Sequence, residues 1–257
     1  MKPMKMIVTM GRGGTGKTSF VALMTKYFIE VGKTPLLLVD VDPDQSLGDA
    51  VGVSLEDEGK KTISELLIET FIEGGGTTVG VPPWERIEWR IWEEGLYEGE
   101  HFDLMAIGPK WIEGCYCLPD AALKRALGSL TKNYEYVLVD SPAGLEHLNR
   151  KITSEVNDIF DLIDPSVKSF GHVERAYRIV TEVGIKFDNF YIVGGYRFPE
   201  TLEGEVGRRL KLRYIGKIPY DKDVEEYILS GKSLLGIPPS SPAYQSVKNI
   251  MMRAGYL

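Results

Sequence analysis

The sequence predicts an α/β fold, a single domain over residues 1–257 with a mainly parallel β-sheet flanked by helices, and three observations predict it. Short apolar runs alternate along the chain with segments of helical period, the order that threads parallel strands through crossover helices. The first apolar run, Met4 to Met10, leads straight into a glycine-rich loop, Gly11-Arg12-Gly13-Gly14-Thr15-Gly16-Lys17-Thr18, which itself opens a helical pattern. The chain has 257 residues, 43% hydrophobic and 26% charged, enough to bury a full core.

Taken in order, strands are expected at Lys5–Met10, Pro35–Asp40, Phe102–Ile107, Tyr134–Val139, Asp158–Ile163, Phe190–Val193 and Arg213–Lys217. Helices are expected at Lys17–Val31, Ile63–Glu73, Pro119–Leu130, Leu145–Val156, Val173–Val183, Leu202–Leu210, Asp223–Leu229 and near Tyr244–Arg253. One stretch breaks the rhythm. After a Gly74-Gly75-Gly76 turn and Pro82-Pro83, Ile87, Trp89 and Ile91 alternate with polar residues up to a turn at Gly95. That alternation predicts a peripheral β-hairpin insertion over about 74–100, its tryptophans packing rather than acting. There is no internal repeat.

The glycine-rich loop has the spacing G-x-x-x-x-G-K-[ST]. Backbone turns that glycine permits can aim successive N–H groups at a triphosphate, with the helix N-terminus behind them. Lys17 then reaches the outer phosphates and the Thr18 hydroxyl is placed for Mg²⁺. The bland alternative is a glycine-rich turn without a ligand, and the strand–loop–helix context speaks against it.

Two strand ends add carboxylates. Leu36-Leu37-Leu38-Val39-Asp40-Val41-Asp42-Pro43-Asp44 places Asp40 and Asp42 at the carboxyl edge of a buried strand, the edge where open α/β sheets bind ligands. The alternative is that these residues only form a turn ahead of Pro43. Tyr136-Val137-Leu138-Val139-Asp140-Ser141-Pro142-Ala143-Gly144 ends a second apolar strand in D-x-x-x-G. Asp140 can hold Mg²⁺ through a water, and Gly144 lets a backbone N–H approach the γ-phosphate.

Both cysteines fall in Gly114-Cys115-Tyr116-Cys117. A disulfide at that spacing is strained. Two thiolates there can share a soft metal ion, and because a closed tetrahedral site takes four ligands, a homodimer giving two from each subunit would complete it. The other reading is two buried thiols with no ligand.

The net charge of −7 and the absence of a concentrated Lys/Arg stretch argue against nucleic acid as a partner. The first apolar segment is a short strand rather than a signal peptide, and no apolar run approaches a membrane span, so a cytoplasmic protein is expected. The C-terminal stretch with Met251, Met252 and Arg253 lacks a strong basic face, so no stable membrane association is expected.

The phosphate loop with a basic second residue, the D-x-D-P run at Asp40 to Pro43 and the D-S-P-A-G segment resemble the SIMIBI-class deviant Walker A ATPases, the group of MinD, ParA and the nitrogenase iron protein. Within it the chain resembles the CooC-type accessory ATPases that mature nickel-containing carbon monoxide dehydrogenase. Gly114-Cys115-Tyr116-Cys117 and Ala143-Gly144-Leu145-Glu146-His147-Leu148-Asn149-Arg150 select that branch. Asp164-Pro165-Ser166 and Ile218-Pro219-Tyr220-Asp221 extend the resemblance over nearly the whole chain.

The resemblance implies a P-loop NTPase fold of the MinD/ParA type that binds and hydrolyses ATP to ADP with Mg²⁺. Gly11, Arg12, Gly13, Gly14, Thr15, Gly16, Lys17, Thr18 and Ser19 would cradle the nucleotide, with Asp40, Asp140 and Gly144 in the two switches. Asp42 matches the carboxylate that orients the attacking water. The family's signature lysine, which crosses the dimer interface to the partner's nucleotide, is replaced by Arg12, which keeps the charge but presents a planar fork. The usual adenine-binding Asn is also missing from Tyr191 to Arg197, which leaves the base to Pro219, Tyr220 and Asp221 and to stacking on an aromatic ring or Arg197.

The implied function is a maturation factor holding Ni or Zn between two Cys115/Cys117 pairs, with carbon monoxide dehydrogenase or a related nickel enzyme as client. His147 could add a ligand but is read as a helix-face residue, and His101 and His172 as surface or structural. Two alternatives stand beside it. One is a MinD/ParA-like positioning ATPase that recruits partners; the other is an iron–sulfur reductase, although no Cys follows Asp140.

Overall fold

The computed structural model describes residues 4–73, 83–109, 124, 127–143 and 155–257. Strand β1 (Lys5–Gly11) runs through the glycine-rich loop into helix α1 (Lys17–Glu30), and β2 (Leu36–Asp40) is followed by a short helix α2 (Ser46–Val51). Helices α3 (Ile63–Ile68) and α4 (Pro83–Glu94) precede β3 (Tyr97–Glu98) and β4 (Phe102–Ala106). Then come β5 (Tyr136–Asp140), β6 (Glu155–Ile163), α5 (Val167–Glu182), β7 (Lys186–Gly194), α6 (Glu203–Leu210), β8 (Arg213–Lys217), α7 (Lys222–Leu229) and α8 (Pro242–Arg253).

The strands form one sheet in the order β3-β4-β2-β5-β1-β6-β7-β8. Every pairing is parallel except the short β3–β4 edge. Because side chains alternate across a strand, β1 sends Met6, Val8 and Met10 to one core layer and Ile7 to the other. The first layer lies under α5, through Phe170, Val173, Ala176 and Val180. The second is filled by α1, buried through Phe20, Leu23, Met24 and Phe28, and by Tyr244, Val247 and Met251 of α8. With helices on both faces, the central strands are apolar on both sides, which is why they read as continuous apolar runs.

The expected hairpin over 74–100 is a correction. Residues 83–94 form helix α4, and only Tyr97–Glu98 of that stretch joins the sheet. Ile87 and Ile91, four residues apart, are fully buried, whereas Trp89 between them is 60% exposed. A helical period of four therefore outweighs the apparent alternation, since a strand would have put Trp89 on the same face as the two isoleucines. The helix is tied down by Arg90, which pairs with Glu94 and Glu69 and donates to Thr70 Oγ1 at 3.0 Å.

The expected helix over Leu145–Val156 is contradicted at its end. Glu155 and Val156 already belong to β6, where they pair in parallel with Lys186 and Phe187 of β7. Residues 145–154 lie outside the described part. Helix α5 begins at Val167 rather than Val173, with Ser166 as an N-cap accepting from Ser169 N at 3.1 Å. Of the expected helix Pro119–Leu130, residues 127–130 are helical. Among the described residues no helix is long and apolar enough to cross a membrane.

Candidate functional site

The loop between β1 and α1 lies at the carboxyl edge of the sheet. Gly16 precedes α1 in the left-handed region at φ 93°, and no side chain caps the helix. The first-turn N–H groups of α1 are therefore left for an anion, and the positive end of the helix dipole adds to them. Behind the loop, Gly195 follows β7 so closely that a Cβ there would stand 2.6 Å from the Thr15 carbonyl oxygen. Only glycine lets the two segments meet.

Lys17 is 7% exposed, and its Nζ reaches the Arg12 carbonyl at 3.4 Å. The same carbonyl accepts from Thr15 Oγ1 at 2.8 Å. An ammonium has three donors, so one long bond to a neutral oxygen among the described residues leaves Lys17 poorly satisfied and suited to phosphate oxygens.

Adjacent strands bring the carboxylates to this loop. Asp140 is in register with Thr9 of β1 on one side and with Asp40 of β2 on the other. Thr18 Oγ1 donates to Asp140 Oδ2 at 2.6 Å, while Asp140 Oδ1 is buried without a partner among the described residues. A hydroxyl, a carboxylate and an orphaned acceptor oxygen form the hard donor set that Mg²⁺ takes, so Thr18 and Asp140 fit the ion; bound there, it would neutralise phosphate charge. Burial pushes the Asp140 carboxyl up to about 6, against the Thr18 hydrogen bond and Lys17, which lower it. Burial, reinforced by the charge of Asp140, carries Asp40 up to about 7. A bound divalent cation would favour the ionised forms.

Asp40 spends both oxygens on backbone, accepting from Asp42 N at 3.0 Å and from Leu47 N at 2.9 Å. It shapes the segment that carries Asp42 rather than facing outward itself. Asp42 is half-buried and accepts from Asp44 N at 3.1 Å.

Arg12 folds back on its own chain. Its Nη1 donates to Asp164 Oδ2 at 3.1 Å and to Ser166 Oγ at 3.0 Å. These residues line a cavity of about 480 Å³ that also takes in Gly13, Gly14 and Arg197. The Arg197 guanidinium lies 5.2 Å from the Tyr196 ring centre, so this arginine stacks on a neighbour and sits on a different cavity from Pro219–Asp221.

That second cavity, about 280 Å³, opens beside Thr15, Gly16 and Ser19 and is walled by Pro219, Tyr220 and Asp221. The structure thus joins the phosphate loop to the segment expected to hold a base. Asp221 is occupied internally: it caps α7 through Asp223 N and accepts from Ser241 Oγ at 2.6 Å and Ala243 N at 2.9 Å.

Sequence reading missed one buried group. Asp161 of β6 is wholly buried with neither oxygen hydrogen-bonded among the described residues, and burial pushes it up to about 8 while Lys17 pulls it down. His172 is no surface residue. It is 7% exposed on α5, its Nε2 has no partner among the described residues, and burial, helped by Arg175, Arg12 and Lys17, lowers it to about 4. A lone Asp between Phe160 and Leu162 in an apolar strand was the available signal for the carboxylate. His101 is exposed.

Cys115, Cys117, Gly144 and His147 lie outside the described residues. Among the described residues no group of three or more His, Cys, Asp or Glu side chains is placed to hold a metal ion.

Comparison with known proteins places this architecture. The model of the CobQ/CobB/MinD/ParA nucleotide binding domain matches residues 6–235. An uncharacterized ATP-binding protein of Methanocaldococcus jannaschii is 32% identical over 95% of this chain and 96% of its own length. The carbon monoxide dehydrogenase accessory protein CooC of Rhodospirillum rubrum is 27% identical over 92% of this chain and 91% of its own. The MinD cell division protein of Aquifex aeolicus superposes with a TM-score of 0.69 at 20% identity, covering 98% of this chain and 97% of that one, a likeness of fold.

Proposed function

The chain belongs to the CobQ/CobB/MinD/ParA family of nucleotide-binding ATPases, and from that premise we propose that it is a cytoplasmic maturation factor in which ATP binding and hydrolysis drive a dimer switch that handles nickel or zinc. The observation that supports the ATPase part is the meeting of Lys17, Thr18 and Asp140 at the loop on the carboxyl edge of the sheet, with Asp42 close enough for its charge to act on Asp140. Lys17 and the uncapped start of α1 bind the triphosphate, Thr18 and Asp140 hold Mg²⁺, and Asp42 orients the attacking water. Arg12, released from Asp164, reaches the partner's nucleotide.

The metal part rests on Gly114-Cys115-Tyr116-Cys117 and on the likeness to CooC. Two Cys115/Cys117 pairs, one from each subunit of a homodimer, give the four thiolates of a closed site. ATP draws the subunits together and aligns the pairs; hydrolysis loosens the dimer and releases the ion to a client, carbon monoxide dehydrogenase or a related nickel enzyme. The experiment is the oligomeric state of the reduced protein, measured by light scattering with ATP, with Ni²⁺ or Zn²⁺, and with both. A dimer that each ligand favours, and that chelator reverses, is the expected result. A mass unchanged by either ligand would contradict the proposal.

A further inference from the structure

Asp164 stands one residue beyond the end of β6, and the neighbouring strand brings a second arginine to it. Ile163 of β6 is in register with Gly194 of β7, and Gly195 N donates to the Ile163 carbonyl at 2.8 Å. Phe198 N donates to the Gly195 carbonyl at 2.8 Å, which closes a four-residue turn that contains Arg197. Paired strands lie only about 4.8 Å apart, so this turn sits beside Asp164. Arg12, Asp164, Ser166 and Arg197 accordingly line the same cavity of about 480 Å³.

Two arginines thus share a cavity with one carboxylate. Arg12 holds Asp164 Oδ2, while Oδ1 accepts from Ser166 N at 2.7 Å. Arg197 has no carboxylate partner among the described residues. Its guanidinium rests on the Tyr196 ring, and Glu200, the next acidic residue along the chain, lies 3.7 Å from Lys217 Nζ. When Arg12 leaves for a second nucleotide, Oδ2 loses its only partner among the described residues, and a bare carboxylate is left where phosphates approach. Like charges brought together at a closing interface oppose it. A guanidinium on the same cavity removes that opposition by exchanging a solvated position for a charge-assisted bond.

We propose that Arg197 is a positioning residue that takes over Asp164 when Arg12 lets go, so that Arg12 reaches the partner's nucleotide without leaving an unpaired carboxylate behind. The inference rests on the reading in which Arg12 crosses to the partner, and it adds the counter-ion exchange that such a crossing requires.

The ATP-dependent dimer fraction by light scattering and the steady-state hydrolysis rate test it in the wild type, Arg197→Gln, Arg197→Lys, Asp164→Asn and the Arg197→Gln/Asp164→Asn double variant, with Arg12→Ala alongside. Arg197 is exposed, so its replacements keep the core intact. Arg197→Gln should lower both quantities by about three- to tenfold while ATP binding to the dilute subunit stays unchanged, and Arg197→Lys should keep most of both. In the Asp164→Asn background, Arg197→Gln should have no effect, because no charge is left to cover. An equal loss in both backgrounds, or no loss in either, would overturn the inference; if Arg12→Ala is slow in the same experiment, the crossing of Arg12 still stands. An Arg12→Ala variant that dimerises and hydrolyses ATP as the wild type does would defeat both.

Discussion

Arg12 Nη1 lies 3.1 Å from Asp164 Oδ2, so the basic residue of the phosphate loop is held within its own chain. The two side chains are 36% and 24% exposed. An ion pair this open to solvent contributes about 1 kcal/mol or less, little enough to be broken when a second phosphate site comes within reach. If the bond restrains Arg12, Asp164→Asn should raise the ATP-dependent dimer fraction and the steady-state hydrolysis rate. Arg12→Ala should bind ATP normally but turn it over more slowly. A rate that is the same in all three proteins would remove Arg12 from the reaction.

Lys17→Ala should weaken nucleotide binding by about a hundredfold, since it deletes charge-assisted bonds to phosphate from a lysine that has few other partners. Asp42→Ala should separate binding from chemistry: ATP affinity near that of the wild type, hydrolysis slower by about 10²-fold or more. Equilibrium binding and single-turnover hydrolysis measured on both variants check the assignment. Normal turnover in Asp42→Ala would contradict the role given to it.

Asp161 makes stability depend on pH in a defined direction. Its folded carboxyl is raised to about 8 by burial, so it stabilises the fold fully below the ordinary carboxylate range and loses that contribution as pH rises through about 8. His172, lowered to about 4, acts in the opposite sense below its ordinary value and opposes this trend in acid. Asp140, raised to about 6, and Asp40, raised to about 7, add to the fall at lower pH, so the effect of Asp161 is the main one only between about pH 7 and 8, at up to about 1.4 kcal/mol per pH unit. Thermal melts of wild type and Asp161→Asn across that range should show the wild type falling more steeply than the variant, which keeps only the tail of the Asp40 titration. Parallel curves would mean that Asp161 does not titrate there.

The parts of the site that follow from spacing were legible in the sequence, because a phosphate loop is built from consecutive residues. Lys17, Thr18 and the strand-end carboxylates Asp40 and Asp140 stand together in the fold as the motifs imply. What depends on tertiary contacts was not legible. The pairing of Arg12 with Asp164 spans 152 residues, and the place of Arg197 beside Asp164 requires the parallel pairing of β6 with β7. The hairpin expected over 74–100 was misread because Ile87, Trp89 and Ile91 satisfy period two while Ile87 and Ile91 also satisfy the helical period of four, and only burial decides between them. The start of α5 was missed although Asp164-Pro165-Ser166 has the residues of a helix cap.

The cysteines can be tested apart from the nucleotide. Cys115→Ser combined with Cys117→Ser should abolish metal-dependent dimerisation while ATP affinity stays within about twofold, since both thiols are remote in sequence from the phosphate loop. Loss of ATP binding in this variant would show that the two sites are not separate.

The most direct measurement is a titration of the reduced wild-type protein with Ni²⁺ and with Zn²⁺, in the absence and presence of ATP, reading stoichiometry and affinity together. Four thiolates from two subunits predict about one ion per dimer. If nucleotide and metal both favour the dimer, as proposed, linkage requires each to tighten the other by the same factor. One ion per dimer, bound more tightly with ATP, is the predicted result; metal affinity indifferent to ATP, or metal binding retained when both cysteines are serine, would contradict it.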